Sequence, residues 1–155
     1  MKISIYAIES KRPKWAEEEF NNYGKRLANS TILSWNPIKV KKSTKNFNTS
    51  RIISEESNLL LQKVKKNDFV IALDKSGVNL NTSQMVNSYL GWVQSSVNLS
   101  IIIGGPNGLS KEILDKSDLV WSLSNLTFPH HLVPIIVAEQ FYRVWTIINN
   151  HPYHK

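Results

Sequence analysis

Leu99-Ser-Ile-Ile-Ile-Gly-Gly-Pro-Asn-Gly-Leu109 is a short apolar run that stops on a glycine pair. A run this short, rich in isoleucine, suits a strand buried on both faces, as in the interior of a parallel sheet. Phe69-Val-Ile-Ala-Leu73 is a second run of the same kind, and Asp74 and Gly77 would close it with turn chemistry. Between them, Thr82 to Val93 puts Met85, Val86, Tyr89, Leu90 and Val93 at helical spacing. Strands alternating with helices predict an α/β fold, a mainly parallel sheet flanked by helices. Such sheets bind ligands at the carboxyl ends of their strands. Gly104 and Gly105 stand at that position, where a missing Cβ lets backbone approach a ligand. The plainer reading is a tight strand-to-helix turn. The segment is not G-x-G-x-x-G and lacks the Lys-Ser/Thr of a phosphate loop, which argues against a nucleotide-dependent oxidoreductase.

The rest of the chain continues the alternation. Ile3 to Ile8 reads as a first strand. After Lys11-Arg12, Pro13 suits the first turn of a helix running to about Leu27, with Trp15, Phe20, Tyr23 and Leu27 on one face. Ile32 to Val40 is a second strand that Pro37 confines to an edge or ends early. Lys39 to Ser50, with Lys39, Lys41, Lys42 and Lys45, reads as a basic loop, either an RNA-backbone contact or a solvated segment. A helix is expected over Arg51 to Val64, a short fifth strand over Leu119 to Leu123 and a long helix over Leu132 to Ile148. With no repeat or linker, residues 1–155 read as one domain.

The last helix is apolar nearly all round, interrupted only by Glu139, Gln140, Arg143 and Thr146. Such a helix is buried on more than one side. In a chain of 155 residues one of those sides is expected to meet a second subunit, giving a homodimer. Glu139 and Arg143 also stand at the spacing of a helical ion pair.

Composition narrows the chemistry. Lys+Arg 19 against Asp+Glu 12 gives a net charge of +7, which favours an anionic partner such as nucleic acid. There are no cysteines, hence no disulfide, no thiolate metal site and no cysteine nucleophile. Methylation of a pyrimidine carbon normally begins with thiolate attack on the ring. If a chain without cysteine methylates a base, the acceptor is a nitrogen or oxygen nucleophilic by itself. No apolar run reaches signal-peptide or membrane-spanning form, so a cytoplasmic location is expected.

Two further segments carry candidate chemistry. Trp121-Ser-Leu-Ser-Asn-Leu-Thr-Phe-Pro-His-His131 is too polar beyond Ser124 to continue a strand. It would leave backbone N–H and C=O groups free to recognise the edge of a base. All four histidines, His130, His131, His151 and His154, fall at position 130 or beyond, beside Arg143, Tyr153 and Lys155. Histidine exchanges protons near neutral pH. The clustering suggests a site, against which stand a frayed polar tail and a zinc centre; the spacing is not a usual zinc pattern and no metal is expected.

Together IIIGGPNGLS, WSLSNLTFPH, AEQFYRVW and the terminal HPYHK resemble the RlmH family, the large-subunit (23S) ribosomal RNA pseudouridine N3-methyltransferases of the SPOUT superfamily. The resemblance spans essentially the whole chain and is strongest from Phe69 to Lys155. It implies an α/β knot with a C-terminal trefoil, a homodimer, S-adenosyl-L-methionine as cofactor and a pseudouridine of the assembled ribosome as substrate. By resemblance Leu73, Gly105 and the loop Ser124, Asn125, Leu126, Thr127, Phe128 and Pro129 hold the cofactor. His154 or His130 would accept the proton, with Arg143 and Tyr153 completing the catalytic set. Lys11, Arg12, Arg143 and Lys155 would contact RNA. The tail of one subunit would complete the site of the other. The chain departs from the family pattern at Glu9, where a glycine is usual, and at Pro134, where an arginine is usual; both bear on substrate affinity. A SPOUT enzyme for another RNA position and a basic RNA-binding module without catalysis are the alternatives.

Overall fold

The computed structural model describes residues 1–27, 30–40 and 48–154. Its centre is a five-stranded, all-parallel sheet in the order β2-β1-β4-β3-β5. The strands are β1 (Lys2–Ile8), β2 (Ile32–Ile38), β3 (Phe69–Asn79), β4 (Leu99–Ile103) and β5 (Leu119–Ser122). The helices are α1 (Lys14–Leu27), α2 (Thr49–Leu61), α3 (Thr82–Gln94), α4 (Lys111–Lys116) and α5 (Val133–Ile148). A 3-10 turn, His130–Leu132, leads into α5, and another, Pro152–His154, follows it.

Period-two alternation explains the layers. Ile3, Ile5 and Ala7 of β1 and Leu99, Ile101 and Ile103 of β4 face α1, α3 and α5 in one core. Tyr6, Ile8 and Ile102 point the other way, onto Leu60 of α2 and Ile113 of α4. Every residue of β4 is buried, as expected for an interior parallel strand. Its one polar member, Ser100, donates to Asp68 Oδ2 at 2.6 Å, so burial leaves its hydroxyl paired. Pro37 lies within β2, the edge strand, where its missing N–H costs no sheet bond.

Four expectations change. Trp15 is 53% exposed, and α1 is anchored instead by Ala16, Phe20 and Leu27. In α3 the buried face is Met85, Tyr89 and Trp92, while Leu90 and Val93 stay exposed. Helix α2 ends at Leu61 rather than Val64, and the segment read as a basic loop already turns helical at Thr49, capped by the Asn48 side chain. Lys41, Lys42 and Lys45 lie outside the described residues. Strand β3 does not stop at Asp74. Its register on β5 slips between Leu73 and Val78, and the strand resumes to Asn79. The turn chemistry is present, since Asp74 Oδ1 accepts from Ser76 N at 2.9 Å and Ser76 Oγ at 2.6 Å, but it forms a bulge within the strand. Gly77 is needed there because a Cβ would lie 2.5 Å from the Val120 carbonyl oxygen of β5.

Helix α5 is buried largely by its own chain, against α1 and α3 in the larger core. Among its residues only Ile148 counts as exposed. Ile136, Trp145 and Ile147 stay half-buried on it.

Candidate cofactor site and its flanking groups

The carboxyl edge of β3, β4 and β5 opens on a cavity of about 470 Å³. Its floor is Ile103 and Trp121 near the ends of β4 and β5, with Leu73 where β3 enters its bulge. One wall is the turn Gly104 to Leu109; the other is the loop from Ser122 to Phe128. Of the sequence-assigned cofactor residues, Leu73, Gly105, Ser124, Leu126, Thr127 and Phe128 line it. Asn125 and Pro129 do not: the Asn125 side chain accepts from Asn79 Nδ2 at 3.3 Å, and the Pro129 carbonyl accepts from Leu132 N at 2.9 Å. Asp74 and Lys75 also line the cavity, and sequence reading missed them because it placed them in a closing turn rather than a bulge over the site.

The glycine turn is shaped by its own packing. Gly108 N donates to the Gly105 carbonyl at 3.0 Å, and Gly108 itself has φ +82°, the left-handed region that glycine occupies freely. A Cβ on Gly104 would sit 2.7 Å from the Gly108 carbonyl oxygen. A Cβ on Gly105 would sit 2.8 and 2.9 Å from the carboxylate oxygens of Glu56. At Gly104 the neighbouring atoms are backbone, so a side chain there would force the turn to move; both glycines also line the cavity. The opposite loop is pinned by Ser122 Oγ donating to the Ser124 carbonyl at 3.1 Å and by Leu126 N donating to Ser124 Oγ at 2.9 Å. Asn125 to Phe128 make no backbone–backbone hydrogen bond among the described residues, so apart from the Leu126 N–H this edge keeps donors and acceptors free for a ligand.

A family model described as "Predicted SPOUT methyltransferase" matches residues 1–154. The chain belongs to the SPOUT methyltransferase family. Proteins called "Ribosomal RNA large subunit methyltransferase H" are among its relatives. Those of Coxiella burnetii (strain Dugway 5J108-111) and Marinomonas sp. (strain MWYL1) are 39% and 37% identical to it, in each case over 100% of both chains. That of Methylococcus capsulatus is 35% identical, again over 100% of both.

In this SPOUT methyltransferase the histidines do not form one cluster. His130 and His131 precede α5, with ring centroids 5.8 Å apart. His151 and His154 follow α5, and His151 packs on Tyr142 and Trp145. From Val133, which lines the cavity, to Arg143 the helix rises about 15 Å. Arg143, Tyr153 and His154 thus lie away from the cavity of their own subunit. There they form a second assembly. Arg143 Nη2 donates to Glu139 Oε1 at 2.6 Å, and Tyr153 Oη donates to the same oxygen at 3.2 Å. The Arg143 guanidinium lies 5.3 Å from the Tyr153 ring centroid. Burial, with hydrogen bonds to Tyr23 and Glu139, pushes the Tyr153 phenol well above its usual range, so it stays a donor at neutral pH. Lys155 lies outside the described residues.

His130 does not line the cavity, and its Nε2 is buried with no hydrogen-bond partner among the described residues. Burial holds its pKa below 6.5, so the imidazole is neutral at pH 7 and able to accept a proton. A depressed folded-state pKa means that the unfolded chain takes up the proton first. This stability contribution is intact above pH 6.5 and is lost as pH falls below it. Thermal unfolding from about pH 7 to about pH 5 is therefore expected to show a falling melting temperature, and H130Q a shallower fall.

Glu9, the departure from the family glycine, is accommodated. Its side chain is 1% exposed, and Arg12 Nη2 meets Oε1 at 2.7 Å. Arg12 also stacks 3.8 Å from the Trp35 ring centroid and donates to the Trp35 carbonyl at 3.2 Å. The second Glu9 oxygen faces His131 Nδ1 at 3.8 Å. Arg12, assigned from sequence to RNA, is paired within the protein at 13% side-chain exposure. Lys11 is exposed beside it. R12A leaves a buried carboxylate unpaired and is expected to cost about 3 kcal/mol in urea unfolding. Adding E9G to R12A should restore most of that loss by removing both charges. Pro134 is buried within the first turn of α5, where its missing N–H is harmless.

Among the described residues no His/Asp/Glu group of metal-binding arrangement occurs, and no helix is long and apolar enough to cross a membrane.

Proposed function

We propose that this chain transfers the methyl group of S-adenosyl-L-methionine to N3 of a pseudouridine in large-subunit ribosomal RNA, acting on the assembled ribosome as a cytoplasmic homodimer of single-domain, knotted subunits. The observation that carries the reading is the cavity at the sheet's carboxyl edge in a chain matched end to end by proteins called ribosomal RNA large subunit methyltransferase H.

The residues present fit the cofactor. About 470 Å³ lies within the range of small-molecule sites. Leu73, Ile103, Trp121 and Phe128 offer apolar walls, and Asn125 to Phe128 keep backbone groups free to pair with an adenine edge. Bound there, the cofactor supplies an activated sulfonium methyl. The chain has no cysteine to attack a ring carbon, so the acceptor must be nucleophilic by itself. An imide nitrogen meets that need once its proton leaves.

The groups able to hold the acceptor base lie in the second assembly. Arg143 offers a cation against developing imide negative charge, and Tyr153 a neutral donor. Glu139 fixes both. The distance along α5 separates these groups from the cavity of their own subunit, which favours a tail serving the partner's cavity. His130 and His154 remain the candidate proton acceptors, His130 being neutral at working pH. Lys11, Arg143 and Lys155 would meet RNA phosphates. The test is methyl transfer from labelled cofactor to ribosomes lacking the modification, with mapping of the labelled nucleotide. Label on N3 of a single pseudouridine is the expected result; label on another position, or none, defeats this reading.

A further inference from the structure

Asp74 and Lys75 are the charged residues of the cavity lining, and they are neighbours on the bulge that interrupts β3. The remaining lining is apolar or neutral. Trp121 of β5 faces Leu73 and then Val78, so residues 74 to 77 have no partner on β5. Bulges of this kind re-aim side chains beside functional sites. Asp74 is half-buried and Lys75 exposed. The Asp74 carboxylate is held through one oxygen, since Oδ1 accepts from Ser76 N at 2.9 Å and from Ser76 Oγ at 2.6 Å. Among the described residues its Oδ2 makes no hydrogen bond, and neither Asp74 nor Lys75 enters an ion pair. The cavity thus presents a positioned carboxylate oxygen and, one residue on, an ammonium.

We propose that Asp74 and Lys75 recognise the amino-acid end of the cofactor, Asp74 taking its ammonium and Lys75 its carboxylate. The inference rests on the reading of the cavity as the S-adenosylmethionine site. That cofactor carries an ammonium and a carboxylate on one carbon, and two adjacent side chains of opposite charge complement such a pair. Its adenosine part has no formal charge and suits the neutral lining. Ribose hydroxyls would use the Asp74 oxygen and leave Lys75 without a counterpart. The sulfonium, a single positive charge, would do the same.

The experiment is calorimetric titration of S-adenosylmethionine, S-adenosylhomocysteine and 5′-methylthioadenosine into the full-length wild type, D74N and K75M, with the melting temperature of each free protein. Adenosylhomocysteine and methylthioadenosine share adenosine and a neutral sulfur and differ in the amino-acid end. D74N keeps an oxygen for Ser76, and K75M keeps the length of the side chain without its charge. Wild type is expected to prefer adenosylhomocysteine to methylthioadenosine, D74N to shrink that preference about tenfold and K75M about threefold. Affinity for methylthioadenosine should stay within about twofold throughout. Equal weakening of both ligands in D74N would mean that Asp74 only shapes the wall, and overturns the inference; unchanged affinities do so too. A loss seen between S-adenosylmethionine and adenosylhomocysteine instead puts Asp74 at the sulfonium and overturns it. If D74N does not fold, K75M decides, because an unchanged preference there overturns the pairing. Failure of the wild type to bind any of the three overturns the cavity reading and this inference with it; wild-type binding of methylthioadenosine as tight as that of adenosylhomocysteine overturns this inference alone.

Discussion

G104A is expected to lose S-adenosylmethionine binding and methyl transfer by about a hundredfold or more. The added Cβ would lie 2.7 Å from the Gly108 carbonyl oxygen and 2.8 Å from its carbon, both backbone atoms that cannot rotate aside. The turn must therefore shift as a unit, and it forms one wall of the cavity. Gly91 provides the control. It lies in α3 with nothing within 4 Å of an added Cβ, so G91A should keep full binding and gain up to about 1 kcal/mol from better helix propensity. Calorimetry of cofactor binding and initial rates separate the two variants. Binding by G104A at wild-type strength would mean that the wall does not touch the cofactor.

Deletion of Tyr153 to Lys155 should have the opposite profile, with the rate falling about a hundredfold and cofactor affinity nearly unchanged. Tyr153 is held against α5 by Glu139, the Tyr142 ring at 4.7 Å and Arg143, all away from the cavity. The truncation removes a donor from the assembly that would hold the acceptor base, while the cavity walls stay in place. The two inactive proteins then test each other. If the tail of one subunit serves the partner's cavity, an equal mixture of G104A and truncated chains forms heterodimers with one intact site each. Random assortment predicts recovery of about a quarter of wild-type activity. No recovery after verified subunit exchange would place tail and cavity function in the same subunit and end the composite-site reading.

Much of this was legible in the sequence. Buried runs such as Phe69–Leu73 and Leu99–Ile103 alternate with helical patterns, and these local features imply a parallel sheet with both faces covered. The glycine pair at the end of β4 pointed to the cavity edge, since strand ends in open sheets are where backbone is free. The absence of cysteine excluded thiolate chemistry by composition alone.

Other properties follow from contacts between residues far apart in the chain, which periodicity does not encode. Trp15 and Leu90 have the spacing of core residues, yet solvent meets them, because Phe20 of α1 and Trp92 of α3 occupy the sheet face. The four histidines crowd together in sequence but are parted by the length of α5. Nothing in the local sequence around Arg12 shows that Glu9 and Trp35 enclose it. Glu56 gave no sequence signal, because a carboxylate in an amphipathic helix reads as solvated until Gly105 of a distant turn is found packed against it. The sequence by itself determined the class of fold, the edge where a ligand can bind and the chemistry excluded, all of which rest on local pattern and composition. Only the tertiary structure decided which polar groups are committed inside the protein and which remain for a substrate, because burial and pairing depend on what the rest of the chain brings alongside.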